Sequence, residues 1–238
     1  MVQPGSHASK QEVEKFYDTY SSQQQKIGVN IRHRTILRNL KALGLRSDSK
    51  VLEVGCGIGT VSSLIIKEVP GGKFLGVDIS PESIQQAKTR FAGSKHASFM
   101  VNDMRSFSST DKFDFVVLPD VLEHIPVEQH SDLFKTLASA TTPDAIVLIN
   151  IPEPNCLNWI RKHHPEKLQI IDQSLSMQDL LNNSYPHGFK LASMNSYGLQ
   201  YEEPEYTSIV LKKNMEFKTY HRKSTVKRGL ENTLSKIR

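Results

Sequence analysis

Val51-Leu52-Glu53-Val54-Gly55-Cys56-Gly57-Ile58-Gly59-Thr60 decides how the chain is read. A short apolar run ends in three glycines set two apart, and a helical pattern follows. Glycine permits a tight turn there and lets a ligand lie against bare backbone. The start of the helix presents unpaired N–H groups. Dinucleotide enzymes use a similar turn, so the turn alone does not name a ligand. Two features set this one apart. Position 60 is Thr, where G-x-G-x-x-G carries its third glycine. Glu53 precedes the glycines, and a carboxylate there would repel a pyrophosphate and suit a cationic ligand.

Outward from the turn, strands and helices alternate. Lys50–Val54, Lys73–Asp78, Ala97–Asn102, Phe113–Leu118 and Ala145–Ile151 read as strands. Thr60–Glu68, Pro81–Phe91 and Val127–Ala140 read as the helices among them, with Pro81 in a first turn that tolerates proline. Residues 153–187 read as helix and loop. Leu191–Gln200 and Thr207–Lys213 flank the turn-like YEEPEY segment and read as an antiparallel pair. Gln11 to Leu45 reads as helical, broken near Gly28 and ended near Gly44. This order predicts an α/β fold, a mostly parallel sheet with helices on both faces and an antiparallel edge.

Three further signals fall at strand tips, where open α/β sheets bind ligands. They are Gly76-Val77-Asp78-Ile79-Ser80, with Asp78 25 residues after Glu53; Asn102-Asp103-Met104; and Leu118-Pro119-Asp120-Val121-Leu122-Glu123-His124-Ile125-Pro126. An acid at the second tip accepts both ribose hydroxyls of a nucleoside.

Taken together and in order, LEVGCGIGT, GVDIS, the ND pair and PDVLEHIP resemble the class I S-adenosylmethionine-dependent methyltransferases over about residues 30–213. The texture is similar to the small-molecule and sugar O-methyltransferase branch. The resemblance implies a Rossmann-like seven-stranded sheet of order 3-2-1-4-5-7-6, last strand antiparallel. It implies S-adenosylmethionine as cofactor and S-adenosylhomocysteine as product. Gly55, Gly57 and Gly59 would pass under the methionine and ribose, with Glu53 at the ammonium or supporting the loop. Asp78 would hold the ribose, with Ile79 on the adenine. Asn102 belongs to the same edge, and Asp103 and Met104 would face the adenine amine and ring. Leu118 and Asp120 would border the methionine. The segment LPDV lacks the N/D-P-P-Y/F pattern of the enzymes that methylate nucleic-acid bases and glutamine amides, which speaks against that branch.

The sulfonium methyl is already activated, so such an enzyme mainly aligns an acceptor. A hydroxyl acceptor also needs its proton removed, and His is the usual group. His124 lies just past strand four, with Glu123 beside it to orient it or act alone; the plainer role for His124 is to cap or pack at a helix start. His33, His163, His164 and Tyr206 are candidates for the acceptor pocket, although loop histidines are more often structural. Residues 11–45 form a candidate helical lid, from which Tyr17, Tyr20 and Arg32 would reach the cofactor; an ordinary amphipathic helix packed on the sheet is the competing reading. N-methylation of an amine, or cofactor binding without turnover, are the alternatives to O-methylation. A dinucleotide oxidoreductase is a more distant one.

Composition bounds the rest. The chain has 238 residues, 38% of them hydrophobic and 23% charged, enough for one α/β domain with additions. Its two cysteines, Cys56 and Cys156, exclude a disulfide scaffold and make a cytoplasmic setting the default. No Cys/His cluster has zinc-ligand spacing, and no metal is expected. From Lys212 onward nine Lys/Arg face two Glu, so this stretch carries +7 of a +5 total and residues 1–211 carry −2. A nucleic-acid groove on the main domain, residues 46–213, is therefore not expected. Residues 214–238 carry a Val226, Leu230, Leu234, Ile237 stripe amid basic residues, a pattern that suits docking on protein or an anionic membrane surface. Residues 1–10 are polar and read as disordered. Oligomeric state has no sequence signal here.

Overall fold

The computed structural model describes residues 9, 11–18 and 28–215. The expectations for residues 1–8, for Tyr20 and for the basic stripe lie outside the described residues. Helix α1 covers residues 11–18. The remaining helices are α2 (Ile31–Ala42), α3 (Ser62–Glu68), α4 (Pro81–Arg90), α5 (His130–Ala140), α6 (Pro154–His163) and α7 (Met177–Ser184). The strands are β1 (Lys50–Val54), β2 (Lys73–Asp78), β3 (Ala97–Val101), β4 (Phe113–Pro119), β5 (Thr141–Pro152), β6 (Lys190–Tyr197) and β7 (Tyr206–Lys212). They form one seven-stranded sheet of order β3-β2-β1-β4-β5-β7-β6. β1 to β5 run parallel, and β7 is antiparallel to both β5 and β6.

The central strands bury both faces, which is why they read as nearly continuous apolar runs rather than alternating ones. Leu52, Val116, Leu118 and Val147 face one core, shared with Leu133, Phe134 and Leu137 of α5. Val51, Phe115, Val117 and Leu148 face the other, against Ile36 and Leu40 of α2 and Ile65 of α3. Phe134 is fully buried against the tilted ring of Phe189, 5.9 Å between centroids. Phe134→Ala is expected to cost about 3–5 kcal/mol in urea unfolding, through lost transfer energy and the cavity left behind. A loss below about 1 kcal/mol would mean that α5 does not anchor this core.

Side-chain caps set several helix starts. Asn30 accepts the His33 amide at α2, Ser80 accepts that of Ser83 at α4, and Glu153 accepts those of Asn155 and Cys156 at α6. Strand β5 starts at Thr141, earlier than the expected Ala145, because α5 runs straight into it. Pro143 and Asp144 look like breakers, yet a register irregularity between Phe113 and Phe115 absorbs them. Val127–Gln129 is a 3-10 turn, so α5 starts later than the helical pattern suggested.

Candidate functional site

The carboxyl ends of β1, β2, β3 and β4 open into one cavity of about 560 Å3. Gly55 and Cys56 of the glycine turn line its floor. Gly55, Gly57 and Gly59 all have positive φ, which L side chains adopt at a cost. At Gly55 (φ +70°) a Cβ would also fall on the side chain of Val121, so only glycine lets the turn and the segment after β4 meet. The Gly55 and Cys56 amides donate to Val77 O at 2.8 and 3.0 Å, tying the turn to β2. The Gly57 amide donates to Asp78 Oδ2 at 2.7 Å, and the Ser80 amide to Asp78 Oδ1 at 2.9 Å. Burial pushes the Asp78 carboxyl above the usual range, opposed by those amide donors. Two amides leave a carboxylate with lone pairs to spare, and Asp78 lines the cavity.

Glu53 also lines the cavity, although its residue is 1% exposed. Its Oε2 accepts from Ser62 Oγ at 2.6 Å, and its Oε1 has no hydrogen-bond partner. Burial pushes its carboxyl up to about 8. The folded protein therefore keeps a proton that the unfolded chain loses above about pH 4.3. That contribution to stability is complete below the unfolded pKa and disappears as pH rises through 8. Glu53→Gln, which cannot ionise, is expected to unfold at a higher temperature than the parent at pH 9, by roughly 5 °C, and at nearly the same temperature at pH 5. Thermal melts without added ligand check this, and an equal difference at both pH values would refute it.

Two non-glycine residues at the cavity have positive φ, Met104 (φ 65°) and Asp120 (φ 54°). Such conformations persist only where neighbours hold them. The Met104 amide donates to Asn102 Oδ1 at 2.7 Å. The Asp120 amide donates to Asn150 O at 2.8 Å, and Asn150 Nδ2 donates to Asp120 Oδ1 at 2.8 Å. Arg32 Nε lies 3.0 Å from Asp120 Oδ2, and Arg32 Nη1 donates to Tyr206 OH at 2.9 Å. The guanidinium also sits over the Tyr206 ring.

His124 belongs to a 3-10 turn, Leu122–His124, directly after β4. Its Nδ1 meets Ile171 O at 2.5 Å and lies 3.3 Å from Asp172 Oδ1. A carbonyl only accepts, so the proton sits on Nδ1 and the neutral ring keeps its lone pair on Nε2. Nε2 stands 3.7 Å from Glu123 Oε1, beyond hydrogen-bond range. Glu123 is buried behind His124 with no partner for either oxygen. Burial, with Asp120 and Asp172 nearby, holds its carboxyl well above the usual range. Helix α1 brings Val13 and Tyr17 to the cavity, with the Tyr17 ring edge-on to that of His124 at 6.1 Å. Asp18 ties α1 to the start of α4, accepting from Ser80 Oγ at 2.5 Å and from the Glu82 amide at 3.3 Å.

Thus Glu53, Gly55, Asp78, Ile79, Asn102, Asp103, Met104, Asp120, His124, Tyr17, Arg32 and His33 meet at one cavity. Other candidates stand apart. Gly57 acts through Asp78, Gly59 is turned to Phe91, Glu123 lies buried off the cavity lining, and Leu118 is wholly buried in the core. Tyr206 bonds Arg32 instead of facing the cavity, because β7 carries it to the α2 side. Arg32, which the resemblance aimed at a cofactor carboxylate, has its charge engaged by Asp120 instead. His33 closes a capping box, accepting the Asn30 amide on Nδ1, and burial pushes it down to about 4. With Nδ1 held by the cap and Nε2 3.5 Å from Arg32 Nη2, which only donates, His33 is not free to act as a base. His163 and His164 leave the site altogether and pack around the exposed Trp159 at the end of α6, 4.8 and 5.3 Å between centroids. Gln169 and Ile171, which also line the cavity, carried no sequence signal. Among the described residues no group of His, Cys, Asp and Glu is arranged to hold a metal, and no helix is long and apolar enough to cross a membrane.

Residues 51–144 match the family model described as a methyltransferase domain. The chain is 30% identical over 102 residues to malonyl-[acyl-carrier protein] O-methyltransferase 1 of Ilyobacter polytropus, covering 43% of this chain and 35% of that protein. It is 25% identical over 133 residues to trans-aconitate 2-methyltransferase of Escherichia coli, covering 56% of this chain and 49% of that protein. It thus spans between a third and a half of these curated relatives. Among solved structures, magnesium protoporphyrin IX methyltransferase of Synechocystis with bound S-adenosylhomocysteine superposes with a TM-score of 0.66 at 19% identity, covering 86% of this chain and 99% of that one. N-methyltransferase NodS of Bradyrhizobium japonicum superposes with a TM-score of 0.59 at 17% identity, covering 76% and 85%. At these identities the structures share the fold.

Proposed function

We propose that this chain, whose residues 51–144 match a methyltransferase-domain family model, is a class I S-adenosylmethionine-dependent methyltransferase that transfers a methyl group to a hydroxyl of a small molecule or sugar. The observation that carries the reading is His124, which lines the cavity with Nδ1 tied to a carbonyl and Nε2 left as the basic nitrogen.

The cavity suits the cofactor. Glu53 Oε1 is a buried acceptor with no partner, placed where a cationic ammonium would satisfy it. Gly55 offers backbone with no room for a Cβ. Asp78 retains acceptor capacity for two ribose hydroxyls, and Ile79, Asp103 and Met104 stand where the adenine would lie. Bound there, S-adenosylmethionine supplies a methyl carbon already activated by its sulfonium. The chain's own residues do the rest. α1 and Tyr17 cover the cavity and limit water. His124 Nε2 would receive the proton of an acceptor hydroxyl held beside it, and the cavity lining would align that hydroxyl for transfer.

The test has two stages. Calorimetry with S-adenosylmethionine and S-adenosylhomocysteine should show saturable binding. Release of S-adenosylhomocysteine should then be followed across sugars, other hydroxyl compounds and amines, with trans-aconitate and malonyl thioesters included because relatives are named for them. Absence of cofactor binding at millimolar ligand would overturn the reading. An N-methyl product would replace the hydroxyl with an amine.

A further inference from the structure

We propose that Asp172 is a positioning residue for His124, carried back to the imidazole from beyond β5. This rests on the reading of His124 as the group that receives the acceptor's proton. The segment around Asp172 is tied to the His124 turn at several points. The Gln173 amide donates to Glu123 O at 3.0 Å, and Gln173 Nε2 donates to Ile125 O at 2.7 Å. Arg161 of α6 donates to Asp172 O at 2.7 Å. Asp172 Oδ2 accepts the Gln169 amide at 2.5 Å, which turns Oδ1 toward His124 Nδ1, 3.3 Å away. Both side chains are only 9% exposed, so little water competes for the contact.

Ile171 O accepts the Nδ1 proton, and Asp172 Oδ1 lies 3.3 Å from the same nitrogen, so its charge also favours a proton there. A proton arriving at Nε2 makes an imidazolium, and the Asp172 carboxylate stabilises it. The other groups about the ring serve this less well. Glu123 lies on the Nε2 side with its carboxyl pushed up by burial. Asp120 is neutralised by Arg32. Tyr17 of α1 presents a ring edge, and His130 of α5 is turned to Leu122 O and Ile125 O. In the step itself, the acceptor O–H bond breaks toward Nε2, the new C–O bond forms at the methyl carbon, and the C–S pair remains on sulfur. The proton on Nε2 passes to water once product leaves.

The experiment is long-range proton–nitrogen NMR of the full chain, ring-labelled at histidine and saturated with S-adenosylhomocysteine. His124→Gln assigns the resonance. The parent should show one His124 tautomer, with the proton on Nδ1. Asp172→Asn keeps an oxygen for the Gln169 amide but removes the charge. It should leave the fold intact and shift the His124 ring nitrogen resonances. An Nε2-protonated tautomer in the parent, or His124 ring resonances unmoved in Asp172→Asn, overturns the proposal. With an acceptor that turns over, Asp172→Asn should lower kcat about tenfold, leave the KM for S-adenosylmethionine within about twofold, and cost nothing more in a His124→Ala background. Equal losses in both backgrounds would make Asp172 merely structural. Full turnover by His124→Ala would instead defeat the proton-acceptor role while the NMR result stood, so the two failures are distinguishable.

Discussion

His124→Ala is expected to lower turnover about 10²–10⁴-fold, the usual worth of a positioned proton acceptor. Its affinity for S-adenosylmethionine should stay within about twofold of the parent. The asymmetry follows from the geometry. His124 stands at the end of β4, while the groups suited to the cofactor, Glu53, Asp78 and the glycine turn, belong to β1, β2 and the loop between β1 and α3. Removing the imidazole leaves the turn's bonds to Val77 O and Asp78 untouched. The measurement pairs calorimetry with single-turnover kinetics on an acceptor found by the screen. Parent-like turnover would mean that the acceptor arrives already deprotonated, as a carboxylate does, and needs only alignment. A parallel loss of cofactor affinity would mean that the 3-10 turn itself had collapsed.

Asp78→Ala is expected to weaken S-adenosylmethionine binding by about 1.5–3 kcal/mol, roughly 10–150-fold, the range for hydrogen bonds to a charged group. One carboxylate does two things here. It holds the Gly57 and Ser80 amides at 2.7 and 2.9 Å, and it faces the cavity with lone pairs to spare. Without it two amides lose their acceptor and the ribose loses its anchor. Asp78→Asn separates the roles, since Asn keeps one oxygen for the loop and should fall between parent and alanine. Because burial raises this carboxyl above the usual range, affinity should decline as pH falls through its titration, and that decline should be smaller in Asp78→Ala, where Glu53 alone still titrates. Titrations at pH 8 and pH 5 test both points. Unchanged affinity in Asp78→Ala would remove the ribose assignment.

The local parts of this molecule were legible in the chain. A strand, a tight turn and a helix start occupy about ten consecutive residues, and their requirements are met by neighbours in sequence. LEVGCGIGT therefore showed β1, the glycine turn and α3, and GVDIS showed β2 and the carboxylate at its tip. Alternation of strands and helices required a parallel sheet, because parallel neighbours need a crossover between them. The strand order came through the resemblance of the four motifs together. Other elements were misjudged where a local breaker was overruled. The fifth strand was expected only from Ala145, yet β5 begins at Thr141 and passes through Pro143, because a register irregularity needs no amide there.

Tertiary structure alone decided who faces whom across long separations. Asp172 lies 48 residues after His124, in an irregular stretch with no periodicity to read, and only the packing of α6 and the bonds of Gln173 bring it to the imidazole. Arg32 had the right charge for a cofactor carboxylate, but Asp120, held in a left-handed conformation by Asn150, meets it first. His163 and His164 looked like acceptor ligands by residue type, and the direction of α6 places them against Trp159. The physical reason is common to all three. A side chain's type limits what it can bond, but its partner is whichever complementary group the packed backbone delivers within about 3 Å, and no local pattern encodes that delivery.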